Sequence, residues 1–226
     1  MYKLKLAITP VIIAAFCLLT ASGPGAAAAD ATLAQLAARA DVIALVRVME
    51  TDYEKIRSFP SSGWALLKVL IPYKGVARDD ILEVTEKGLR DSACYYPELG
   101  VWQFEGDRFL VFLRAGDKDT YRGNAPGCRI PVLVTQDNSY AIRAPLPGLT
   151  LDPDRVIDVE YADPAAYVDA GDFTRAQIRE LEQVYLARPV EDRDPFAPPQ
   201  KKYVYTQGIP LSQLRDMLQL DATSPE

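Results

Sequence analysis

The sequence predicts a mainly β fold, a small barrel or sandwich with added helices. Three observations carry this. Five or more short apolar strands alternate with turn residues, two cysteines stand downstream of an export leader, and one helix-forming stretch precedes the first strand.

Residues 1–29 read as a signal peptide. Lys3 and Lys5 form a basic start, and Leu6 to Leu19 form an apolar stretch broken by Thr9 and Pro10. Ala27-Ala28-Ala29 then offers a small-residue cleavage site before Asp30. A retained anchor is the alternative, since Leu4 to Ala21 reaches the lower length limit for a span. Pro10 and the alanine-rich exit favour cleavage. Phe16 stands before Cys17, where lipoprotein processing needs a small residue.

Export places the remaining chain in an oxidising compartment, periplasmic or secreted, so Cys94 and Cys128 read as a disulfide. Closing that loop is worth up to about 4 kcal/mol in the chain-entropy account. A redox-active pair is disfavoured because the C-x-x-C spacing is missing.

The elements follow in order. Ala31 to Ala40 is rich in helix formers, with Leu33, Leu36 and Ala37 on one side and Thr32 as its cap. Asp41 opens a strand, DVIALVRVM, apolar on both faces and so covered on both sides. Asp52 to Gly63 reads as a polar loop, Trp64 to Ile71 as a strand ended by Pro72 and Gly75, and Asp80 to Thr85 as a third strand. An irregular stretch from Glu86 to Asp107 holds Cys94. Arg108 to Arg114 is the clearest strand, and Gly116-Asp117 a turn. Ile130 to Thr135 and Tyr140 to Arg143 form a hairpin. Residues 30–145 thus make the β domain.

Residues 146–226 read as a C-terminal extension. Prolines 145, 147, 153 and 164 interrupt an acidic segment with one short strand at Val156 to Val159. Thr174 to Leu186 reads as a helix opened by a T-x-x-Q capping box, and Arg188 to Gln200 as a proline-rich linker. Lys202 to Thr206 is an edge strand giving Tyr203 and Tyr205 to the core. Leu211 to Leu220 is a closing helix with Leu214, Met217 and Leu218 buried.

Composition narrows function. The net charge is −6, and −8 once the two leader lysines are removed. That balance disfavours sequence-independent nucleic-acid binding and docking on anionic lipid. With no histidine, the usual general base and commonest metal ligand are missing. No serine-nucleophile motif, nucleotide loop or cofactor motif is present, so no catalytic residue, metal or cofactor is assigned. Asp152, Asp154 and Asp158, or Asp117 and Asp119, lack the loop pattern that holds calcium.

One constellation stands out. Tyr95, Tyr96, Trp102 and Phe104 gather aromatic rings on the long segment beside Cys94, a candidate binding edge. The alternative is that these rings pack over the barrel mouth and shield the disulfide.

The order of elements resembles the OB-fold domain of the tissue inhibitor of metalloproteinases and netrin-like superfamily, in particular its exported bacterial relatives. The similarity runs from about Thr32 to Arg143: a short helix (LAQLAARA), Asp41 to Val48, a strand ending in Lys74-Gly75, Asp80 to Thr85, Cys94, Gly106 to Phe112, and Cys128. It implies a five-stranded OB-like Greek-key barrel with an N-terminal helix packed on it. In the animal inhibitors a mature N-terminal cysteine chelates the protease zinc. The expected mature start here is Asp30, so that device is not carried over.

The sequence reading is therefore an exported non-catalytic binding module for an extracytoplasmic protein, with no membrane span after leader removal. A loop-based protease inhibitor and a carboxylate-dependent hydrolase are the alternatives.

Overall fold

The computed structural model describes residues 31–88, 93–97, 107–123, 127–146, 148–169, 179, 188–191 and 201–220. The leader lies outside the described residues, as do Trp102, Phe104 and, Arg179 apart, the helix expected at Thr174 to Leu186.

The chain begins with β1 (Ala31–Thr32) and α1 (Leu33–Arg39). Thr32 and Gln35 form a capping box: the Gln35 amide donates to Thr32 Oγ1 at 3.2 Å, and the Thr32 amide to Gln35 Oε1 at 3.0 Å. Basic side chains satisfy carbonyls at the other end. Lys74 Nζ donates to Ala40 O at 2.6 Å, and Arg114 Nε to Arg39 O at 2.9 Å.

A meander follows of β2 (Val42–Ile56), β3 (Phe59–Lys74) and β4 (Ile81–Lys87). The next strand, β5 (Arg108–Ala115), returns antiparallel to β2. β6 (Tyr121–Gly123) then pairs antiparallel with β5 and parallel with β4. The ring β2-β3-β4-β6-β5 is closed, a five-stranded OB-like Greek-key barrel.

Both faces of β5 and of the first half of β2, Val42 to Val46, are buried, as their continuous apolar runs require. Val42, Ala44, Val46, Val48, Phe109, Val111 and Leu113 fill the barrel. Ile43, Leu45, Leu110 and Phe112 face outward, into a second core with Leu33 and Leu36 of α1. Each of these side chains larger than alanine contributes roughly 1.5–3 kcal/mol of burial.

Beyond the ring, β7 (Arg129–Val134) pairs with β5 and with β8 (Tyr140–Ala144), the expected hairpin. Short strands follow: β9 (Leu149–Thr150) beside β1, β10 (Ile157–Asp158), β11 (Tyr167–Asp169), β12 (Arg188–Glu191), β13 (Lys201–Val204) and β14 (Gln207–Pro210). β14 enters the main sheet between β8 and β10, so this part of the extension is built into the barrel's own sheet. A 3-10 turn at Leu211–Gln213 leads into α2 (Leu214–Met217). Leu211, Leu214 and Leu218 join the α1 core, with Met217 packed against it.

The structure corrects four readings. The closing helix expected at Leu211 to Leu220 is a 3-10 turn and a four-residue helix, with Met217 half-buried. Asp52 to Gly63 is ladder, not loop: Asp52 pairs with Trp64, Tyr53 with Gly63, and Ile56 with Phe59. Arg57 and Ser58 both take positive φ (51° and 68°), so the two strands join through a tight two-residue turn. Asn-Gly ordinarily announces such a turn, which hides this one. The linker expected at Arg188 to Gln200 begins with β12. Finally, Tyr203 lies on the central strand of the sheet β11-β13-β12, not on an edge, and both Tyr203 and Tyr205 are buried.

Candidate functional site

Polar chemistry gathers where the barrel closes. β4 and β6 share one backbone-paired position, Val84 with Tyr121. Along β4 the inward residues are Leu82, Val84 and Glu86, because strand side chains alternate. Glu86 is therefore carried into the barrel end, 8% exposed. Its carboxylate accepts the Gly123 amide at 2.7 Å and also the amide of Cys94. Gly123 has to be glycine here. A Cβ would collide with the Cys94 side chain and lie 2.9 Å from Glu86 Oε1.

The disulfide is present. Cys94 and Cys128 are bridged with Cα atoms 6.3 Å apart, tying residues 93–97 to the start of β7. The Cys128 carbonyl accepts the Phe112 amide at 2.8 Å, which anchors that end to β5.

Tyr95 and Tyr96 are buried, 6% and 3% exposed, so these two rings pack over the barrel mouth and form no exposed binding edge. Tyr95 meets Tyr53 edge-on, with centroids 5.0 Å apart, and its hydroxyl donates to Gly88 O at 2.9 Å. The Tyr96 amide donates to the Tyr53 hydroxyl at 3.1 Å. Its ring lies edge-on to Phe109 at 5.8 Å, and the Arg129 guanidinium covers Phe109 at 5.1 Å.

Burial sets the electrostatics. It raises the Glu86 pKa against the opposing pull of the Gly123 and Cys94 amides and the Arg122 charge. It pushes Tyr53 up to about 12, and raises Tyr96 further. The Tyr96 hydroxyl finds no hydrogen-bond partner among the described residues.

Glu86 is the one buried carboxyl among the described residues. The charge acting on it is that of Arg122. Among the described residues, the groups around Glu86 hold strands and loop together.

Sequence reasoning missed both Glu86 and the β2–β3 hairpin. The alternation Leu82, Val84, Glu86 was the signal for the first. At the hairpin tip Ile56 and Phe59 form a cross-strand pair, 64% and 60% exposed, and Met49 at a bulge is 46% exposed. Among the described residues no three Cys, Asp or Glu gather as a metal-ligating group, and no helix is long and apolar enough to cross a membrane. Compared with known proteins, the chain matches no family model, no curated protein and no solved structure.

Proposed function

We propose that this chain is an exported, non-catalytic interaction module that engages another extracytoplasmic protein through its β2–β3 hairpin. One observation carries the reading: large apolar side chains stand exposed as a cross-strand pair, Ile56 and Phe59, at the tip of that hairpin. Contiguous exposed apolar surface rimmed by polar residues marks interaction sites, and this pair joins its two side chains across the ladder. The disulfide supports an oxidising compartment. The resemblance to the inhibitor and netrin-like superfamily agrees with the closed ring order, and a loop-based protease inhibitor is the narrower form of the same reading.

The test pairs capture with turnover. Crosslinking of the full chain in an extracytoplasmic fraction is expected to give a saturable one-to-one adduct, lost in Ile56→Ser/Phe59→Ser with thermal stability unchanged. Turnover of glycan, ester or peptide substrates that Glu86→Gln abolishes would overturn the proposal in favour of the hydrolase.

A further inference from the structure

The outer face of the hairpin carries a charge pattern that the tip does not. Register lays its side chains out in rows: Glu50 opposite Leu66 opposite Glu83, then Asp52 opposite Trp64 opposite Thr85. The bulge at Met49 sets this phase. It turns Glu50, Asp52 and Glu54 outward, while Thr51 and Tyr53 face in. Leu66 and Trp64 are half-buried, and the carboxylates beside them are exposed.

Two cations at the margin of this face are engaged, while Lys87 stands on it opposite Ser62, in the row of Glu54. Arg47 pairs with Asp107 at 2.6 Å, and Lys68 with Asp79 at 3.0 Å. Glu54 accepts the Ser62 hydroxyl at 2.6 Å. Among the described residues no cation comes within ion-pair reach of Glu50, Asp52 or Glu83. An apolar ridge of Trp64 and Leu66 thus runs beside an unneutralised acidic rim, Glu50 and Asp52 on β2, with the single acid Glu83 as the rim on the β4 side, each about 5 Å from it across the ladder.

We infer that this face docks an extended segment of another protein in which lysine or arginine alternates with apolar residues. The inference rests on the interaction-module reading and adds the face and the partner's chemistry. Alternate residues of an extended segment point one way, about 7 Å apart, which matches the spacing of Trp64 and Leu66 along β3. Its apolar side chains lie on that ridge; the cationic ones leave from the segment's opposite face, and their long flexible stems bend back past its edges to the carboxylates. A nucleic-acid backbone is repelled by the same carboxylates. A second copy of the chain would set acid against acid.

The probe is a labelled eight-residue peptide of alternating Lys and Val, titrated into the full chain by fluorescence anisotropy. Glu50→Gln/Asp52→Asn/Glu83→Gln should weaken binding at least about tenfold, the sum of three modest ion pairs. The control Asp152→Asn/Asp154→Asn/Asp158→Asn removes equal charge and should change it less than about twofold. Leu66→Lys, on the outer face, fills the site with the chain's own cation and should abolish binding while the fold persists. Equal loss in the control means bulk charge attraction only and overturns the inference, as does a wild-type chain that ignores the peptide. Either result leaves the crosslinked adduct and its dependence on Ile56 and Phe59 intact, so the two proposals fail separately.

Discussion

Glu86 and Gly123 close the barrel where the backbone ladder gives out. They stand two residues beyond the Val84–Tyr121 pair in a parallel register, and the Glu86 carboxylate takes the Gly123 amide at 2.7 Å. A side chain supplies the next rung. The same carboxylate holds the Cys94 amide, so strand closure and the disulfide segment share one acceptor.

The first prediction concerns that carboxylate. Its pKa is raised in the folded chain, so the fold retains the proton where the unfolded chain has released it. The folded state then binds more protons, and stability falls as pH rises through the window above the ordinary carboxylate range. Glu86→Gln should flatten this slope in thermal melts taken at successive pH values above the ordinary carboxylate range. Glu86→Ala should lose about 1–3 kcal/mol for each amide left without a partner. A Gln variant that loses stability most at neutral pH would show that the fold prefers the ionised acid.

Gly123→Ala tests the close approach. The added methyl meets the Cys94 side chain, so we predict a loss of roughly 1–3 kcal/mol by denaturant unfolding. An unchanged midpoint would mean that β6 shifts freely, against its place in the ring.

The Cys94–Cys128 bridge closes a segment with a sequence separation of 34. Cys94→Ser/Cys128→Ser should cost up to about 4 kcal/mol, read as a lower urea midpoint under oxidising conditions. Non-reducing peptide mapping of the wild type should find these two residues linked; a free thiol at either position would contradict the pairing.

Alkaline titration reads the buried phenols. Tyr53 and Tyr73 are both pushed up to about 12 by burial. Raised acids of this kind lend full stability below the unfolded pKa of about 10, and lose it as pH climbs through the folded value. Absorbance near 295 nm should therefore show an exposed tyrosine class titrating first. The buried class should ionise only together with loss of the near-ultraviolet circular dichroism.

Several features were legible because local chemistry fixes them. The Thr32–Gln35 box starts α1 as the residue types demand, and the two-sided apolar runs at Val42 to Val46 and Phe109 to Leu113 demand cover on both faces. Hairpin β7–β8 followed from its turn residues. The β2–β3 tip did not, because Arg57 and Ser58 adopt a left-handed turn without the usual glycine. Tyr95 and Tyr96 read by type as either a binding edge or a cover over the disulfide, and only the structure shows them buried beside the bridge to Cys128.

By itself the sequence determined the apolar cores of β2, β3, β4, β5, β7 and β8, the helix cap and which cysteines could meet, since periodicity and residue type act within one element or one covalent bond; short strands such as β6, which closes the barrel, carry too few residues to show a period. Only the tertiary structure decided that Glu86 turns inward beneath Gly123, that β14 slots beside β8, and that acids flank Trp64 and Leu66. Those outcomes depend on register between distant strands, where one bulge, such as that at Met49, exchanges the buried face for the exposed one.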